Sequence, residues 1–210
     1  MSNKKVVNKK SKRDLIIQAG IELIPYVGNP ISTIYFGLKQ EKQFQRLESF
    51  YNELNNELCN FKGKFAPISD HNEDALISIL ELLNEKIENE AIQEKRVFLK
   101  NFLVNSLIFP INDNFDERKY FLQTLSIMTF LECELLSFLY KQKSPIQISS
   151  IKKSKVDQYA IVGSIQRLKS YGFLSSRQGS FSIGGNEDNS LAELVLTTKF
   201  GGNFCEFCII

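Results

Sequence analysis

One histidine, His71, stands among the 210 residues, and that scarcity removes whole classes of chemistry. A serine or cysteine nucleophile working through an imidazole would have a single base to use, and no motif surrounds it in the loop where it falls. A di-metal site built from Glu-x-x-His pairs needs two histidines and is excluded. Four cysteines, Cys59, Cys133, Cys205 and Cys208, make no disulfide framework, so a reducing cytoplasm is the expected compartment. Zinc at the Cys205–Cys208 pair would need a second such pair or two histidines. Beside Phe204, Phe207, Ile209 and Ile210, these two thiols read as small buried hydrophobes. The turns "PYVGNP" and "FGGNF" lack both the dinucleotide fingerprint and the phosphate-loop pattern. No cofactor, metal or small-molecule substrate is expected, and His71 itself is expected at the surface.

An unbroken apolar run is also missing. Leu15 to Leu38 carries one charge, Glu22, and is long enough for a bilayer span, which takes about 20 apolar residues. Pro25, Gly28, Asn29 and Pro30 interrupt it, which predicts two short helices joined at "PYVGNP". Six Lys or Arg and no acid fill residues 1–13 ahead of this hairpin, and no small-residue cleavage site follows it, so it does not read as a signal peptide. Lys9, Lys10, Lys12 and Arg13, with Ile24, Tyr26, Val27 and Ile34, are the candidate contacts for an anionic membrane surface or a protein partner.

A strong field of one sign is lacking too. The net charge of +2 divides into +6 over residues 1–13, −6 over 14–143 and +2 over 144–210. No segment has the dense positive field of a dedicated nucleic-acid binder. Hydrophobic content of 43% against 24% charged residues excludes wholesale disorder.

What is present is helical periodicity. Phe44, Leu47, Tyr51, Leu54, Leu58 and Phe61 form one stripe from Glu41 to about Gly63. Ser69 or Asp70 is placed to cap a helix beginning at Glu73, whose face is Leu76, Leu80, Leu83, Ile87 and Ala91. This segment extends to about Phe109, with a break expected near the charged "NEAIQEKR". Glu81, Glu85, Glu88, Glu90 and Glu94 read as its solvated side. Asp113 or Asn114 can cap a fourth helix to about Lys143, carrying Phe121, Leu125, Met128, Leu131, Leu135 and Phe138 on one face. These elements predict an antiparallel helical bundle over residues 14–143.

"KSPIQ" opens a different pattern over residues 144–210. A short helix near Ile148–Lys152, a second over Val156–Tyr171 and a hairpin with strands at Phe173–Arg177 and Glu193–Thr197 precede a final helix after Thr197 or Thr198. The fold class is therefore mainly α, a helical bundle followed by a small α+β domain. Lys152, Lys153, Lys155, Gln158 and Arg167 surround the second helix of this tail; in a major groove the cations would meet phosphates and Gln158 a base edge. Asp157 among them would repel a phosphate backbone.

"IVGSIQRLKSYGFLS", with Ile161, Ile165 and Leu168 packing the helix and Gly172 turning it into a strand, resembles a winged-helix domain, as does the ending "LVLTTKFGGNFCEFCI". That resemblance implies a fold for residues 144–210 and leaves open whether it binds DNA, protein or a second copy. The apolar start, "EKRVFLKNFLVNSL" and "ERKYFLQTLSIMTFLECELLSFLY" resemble the abortive-infection alpha type of bacterial phage-defence protein. This second resemblance implies a defence role without a catalytic residue. The expectation is a non-enzymatic protein acting through protein interaction, self-association or membrane perturbation. The alternative is a winged-helix regulator that binds nucleic acid.

Overall fold

The computed structural model describes residues 38–60, 65–178 and 189–210. The basic leader, nearly all of the apolar hairpin and most of the loop between the hairpin strands lie outside them. The protein is mainly helical with a small three-stranded antiparallel sheet. It divides into two compact units. One takes the described residues up to Ala91 together with Leu103–Lys119; the other takes Ile92–Phe102 and the described residues from Tyr120 onward.

In the first unit, α1 (Leu38–Asn60) and α2 (Glu73–Asn89) run antiparallel. Gln43 near the start of α1 donates to Asn89 at the end of α2, and Tyr51 donates to Asn84 further back, at 2.7 Å. Arg46 donates to the Glu88 carbonyl at 2.7 Å, placing a cation where the helix dipole is negative. Leu47, Phe50, Tyr51 and Leu54 bury one face of α1, and Leu76, Ile79, Leu80, Leu83 and Ile87 bury one face of α2. Burial disfavours the tyrosinate and pushes the Tyr51 phenol well above its ordinary range.

Two local expectations change in this unit. The cap of α2 is Asn72, whose side chain accepts from Ala75 N at 3.0 Å, because Ser69 and Asp70 are taken up in a 3₁₀ turn, Ile68–Asp70. Ala91 lies beyond the helix and is exposed, in the break that separates α2 from α3 (Gln93–Ile108). The break comes where the charged stretch predicts it, at residues 90–92.

His71 is not at the surface. It is 8% exposed, and its Nδ1 accepts from the Ile111 amide at 3.2 Å. Around it the 65–72 loop is strapped to the 107–112 turn: Ala66 N donates to Leu107 O, Asn72 N to Ile111 O and the Asn112 amide to Asp70 O, each near 3.0 Å. The surface expectation failed because Pro67, Ser69, Asp70 and Asn72 read as solvated loop, whereas their backbone groups needed a partner segment. α4 (Phe115–Ile127) follows this turn.

In the second unit the expected single helix over residues 114–143 is two, α4 and α5 (Phe130–Tyr140), broken at Met128–Thr129. After α5 come β1 (Ile146–Gln147), a 3₁₀ turn at Ile148–Ser150, α6 (Gln158–Ser170), β2 (Leu174–Gln178) and β3 (Glu193–Thr197). The tail closes on α7 (Lys199–Phe204) and a π-helical turn, Cys205–Ile209. The sheet order is β1-β3-β2, with Ile146 opposite Val195 and Leu174 opposite Thr197. β1 was not expected; two residues leave no alternation to read.

The core of this unit is aromatic. Phe102, Phe121, Phe173 and Phe204 are fully buried, with the Phe173 and Phe204 rings 4.3 Å apart and Phe121 edge-on to Phe204 at 5.2 Å. Gly172, at φ 77°, turns α6 into β2. Thr198 accepts from Gly201 N at 2.9 Å and donates to Gly172 O at 2.8 Å, so one hydroxyl caps α7 and holds the turn. α7 lies so near β2 that a Cβ on Gly201 would stand 2.2 Å from the Phe173 carbonyl oxygen.

Two measurements check these contacts. Gly201→Ala is expected to lower the unfolding free energy by about 1–3 kcal/mol in urea, since backbone cannot rotate out of the way. Burial lowers the His71 pKa below its ordinary 6.5 while Asp70 acts in the opposite direction. The unfolded chain then takes up the proton more readily, so stability from His71 is present above that value and is lost as pH falls below it. Between about pH 7 and pH 5.5 wild-type stability should fall, whereas His71→Asn, which keeps an acceptor but does not titrate, should flatten the profile. Identical profiles would remove the assignment.

Candidate interaction surface

α6 supplies the surface that the basic residues of the tail surround. Asp157 caps it by accepting from Tyr159 N at 2.7 Å, and Ile161, Ile165 and Leu168 turn inward. Its outer positions are Tyr159, Ala160, Gly163, Gln166, Arg167 and Ser170, all exposed.

The five candidate nucleic-acid contacts are mostly engaged within the chain. Lys152 donates to Gln158 at 2.7 Å, and Gln158 in turn donates to the Ile148 carbonyl at 3.0 Å. Lys153 pairs with Glu134 of α5 at 2.6 Å. Lys155 is exposed and sits at φ 61°, in a tight turn ahead of α6. Arg167 is the most committed: Nε lies 3.1 Å from Glu132, and Nη2 donates to the Ile127 carbonyl at 3.2 Å and to Tyr171 at 2.7 Å. The Tyr171 hydrogen bond, reinforced by the Glu132 carboxylate, raises the guanidinium pKa further. Lys169 and Gln166 bind Glu193 of β3. Burial works to raise the Glu193 carboxyl, but hydrogen bonds from Lys169, Ser176 and Gln166 together hold it below the ordinary range.

The residues that anchor Arg167 were not anticipated. Thr129 and Glu132 form a reciprocal cap on α5: Glu132 N donates to Thr129 Oγ1 at 3.2 Å, and Thr129 N donates to Glu132 Oε2 at 2.7 Å. The signal was there, a Thr-x-x-Glu pattern in "TFLE", but the apolar face running from Phe121 to Phe138 reads straight across it. Lys95 donates to the Ser126 carbonyl at 3.2 Å on the other side of the break. Glu132 is 1% exposed, a carboxylate that folding has removed from water.

A concavity of about 300 Å³ lies between the ends of α5 and β3 and the start of α7. Tyr140, Gln142, Leu196, Thr197, Lys199 and Glu206 are among its walls. Tyr140 donates to Glu206 at 2.5 Å, which raises the phenol pKa. The Thr197 Oγ1 atom is shielded from solvent and has no hydrogen-bond partner.

Cys133, Cys205 and Cys208 are buried reduced thiols, and burial pushes Cys205 up to about 12, which makes it a poor nucleophile. Among the described residues no group of three or more His, Cys, Asp or Glu could hold a metal ion, and no helix is long and apolar enough to cross a membrane. Lys9, Lys10, Lys12, Arg13, Ile24, Tyr26, Val27 and Ile34 lie outside the described residues.

Arg167→Met should cost about 1–3 kcal/mol, more than an exposed ion pair because Glu132 is dry, and less than a fully buried one because Arg167 is half exposed. In a double-mutant cycle with Glu132→Gln, a coupling of about 1 kcal/mol is expected, and one near zero would show the two acting independently. Compared with protein-family models, curated proteins and solved structures, the chain matches none.

Proposed function

We propose that this chain is a non-enzymatic interaction protein in the phage-defence setting that its helix patterns resemble, with a helical bundle ahead of a winged-helix-like tail that contacts protein. The support for the tail is its element order: α5, a short strand, a turn, α6 and a hairpin whose second strand also pairs with the first short strand. The observation that carries the choice of partner is the internal engagement of the cations around α6. Lys153, Arg167 and Lys169 each meet a carboxylate of the same chain. A phosphate backbone would have to displace those carboxylates, and release of counterions would yield correspondingly little. The exposed positions of α6 that remain include the small, uncharged Ala160 and Gly163, which another protein can approach closely. The membrane arm of this reading rests on the sequence of residues 1–38 alone.

Two assays test the proposal. Expression of the chain in a bacterial host should lower the plating of at least one phage in a panel, and the variant Lys152→Glu, Lys153→Glu, Lys155→Glu should protect equally well. Purified chain should not retain DNA or RNA at low salt. Retention that declines steeply with salt and disappears in the triple variant would establish the regulator reading instead. Absence of protection against every phage would remove the defence setting.

A further inference from the structure

The one histidine of the chain sits inside the strap between the 65–72 loop and the 107–112 turn. Its Nδ1 accepts from the Ile111 amide at 3.2 Å, so that nitrogen carries no proton and the neutral ring keeps its N–H on Nε2. Nε2 is shielded from solvent and meets no hydrogen-bond partner among the described residues. A second proton can enter only at Nδ1. There it would turn the acceptor into a donor facing another donor, and it would put a charge on a ring that is 8% exposed.

The rest of the strap is hydrogen bonding with little apolar burial on the loop side. Ala66 N to Leu107 O, Asn72 N to Ile111 O and the Asn112 side-chain amide to Asp70 O complete it. Phe65, Ala66 and Pro67 are half-buried and Ser69 and Asp70 exposed, whereas Leu47 of α1 and Ile79, Leu83 and Ile87 of α2 are buried. A segment attached in this way opens at a lower free energy than the core beneath it. The charges around the ring do not reverse its preference. Burial disfavours the imidazolium, and Asp70 on the same loop favours it by less. Glu73 and Asp74 at the start of α2, and Asp113 and Asp116 at the start of α4, are exposed and screened by solvent; Arg118 and Lys119, further along α4, can only disfavour a second positive charge.

We infer that His71 is an acid-operated latch, whose protonation releases the 65–72 loop from the 107–112 turn while the α1–α2 pair stays folded. Release frees the Leu107 and Ile111 carbonyls and the Ile111 amide, main-chain groups that the closed strap occupies. The inference is separate from the partner proposed for α6, and it concerns opening of this strap alone and not unfolding of the unit. Linkage sets its size. A released ring with the ordinary pKa of 6.5 is mostly protonated at pH 5.5 and mostly neutral at pH 7.5, so the open fraction can grow by at most about tenfold between the two.

The test is residue-resolved amide hydrogen exchange of the full chain between pH 7.5 and pH 5.5, corrected for the intrinsic exchange rate. Protection of the Ala66, Asn72 and Ile111 amides is expected to fall severalfold relative to the amides of α1 and α2. The decline should begin near pH 6.5 and steepen toward tenfold per pH unit below it, as the uptake of one proton requires. His71→Asn, whose Oδ1 stands in for Nδ1 but does not titrate, should hold the protection of these amides constant. The inference is overturned if the three amides stay protected at pH 5.5, if α1 and α2 lose protection in the same proportion, or if His71→Asn responds as wild type does. Should His71→Asn fail to fold, the wild-type profile decides, because His71 is the one side chain whose ordinary pKa lies in this range: a flat profile, or one that α1 and α2 share, removes the latch.

Discussion

The break between α4 and α5 is the constraint on which the second unit turns. Ending one helix and starting another at Met128–Thr129 strips carbonyls at Ser126 and Ile127 and an amide at Thr129 of their helical partners, in a place where Met128 and Cys133 are buried. Ile127 is 60% exposed and water can serve its carbonyl, but groups at the break that are shielded from water must be paired or their desolvation goes uncompensated. Lys95 from α3 takes the Ser126 carbonyl, Arg167 from α6 takes Ile127, and Glu132 from α5 takes the Thr129 amide. Three helices therefore meet at one turn through charged groups. The carboxylate of Glu132 gains both an ion pair and a backbone hydrogen bond, which makes its burial tolerable where a lone charge would not be.

That arrangement fixes the direction of α5, and much follows from it. Glu134, one turn on from Phe130, is set where it can meet Lys153, and Tyr140 at the far end is set against Glu206. Both contacts tie α5 to segments distant in sequence. The same network accounts for the electrostatic character of the tail. Arg167 is needed to neutralise Glu132, and Lys169 to neutralise Glu193, so a basic composition does not become a basic surface. Charge counted along the sequence overstates what is available to a partner.

The helices and the hairpin were legible because their signals are periodic or chemically explicit. β3 falls on Glu193–Thr197 as expected, and β2 begins one residue later than expected, since Phe173 belongs to the turn that Gly172 sets up. The burial of Cys205 and Cys208 was legible from their aromatic neighbours. What was missed has one physical origin. Apolar spacing reports which face is buried but not whether the backbone is continuous, so the stripe from Phe121 to Phe138 concealed a break marked only by Thr129 and Glu132. His71 was misplaced for the converse reason: polar loop residues read as solvent-facing, while their need for backbone partners drew the loop onto Ile111 and Leu107. Of the candidate site, the basic residues were named correctly as neighbours of α6, but no spacing rule foretells that Glu134, 19 residues before Lys153, and Glu132, 35 before Arg167, would reach them.

An incompletely paired strand invites unwanted pairing unless the fold narrows access to it. Here β1 ends at Ile146, opposite Val195, and beyond that pair β3 is flanked by Tyr140 and by α7, which line the cleft with it. Gly201 lets α7 come that close, because any side chain there would strike the Phe173 carbonyl. Gly202, one residue on, is under no such constraint: a Cβ there would stand 3.4 Å from the Tyr140 ring, an ordinary contact. Two adjacent glycines thus differ: the close approach of helix and sheet requires the first, and no such contact requires the second.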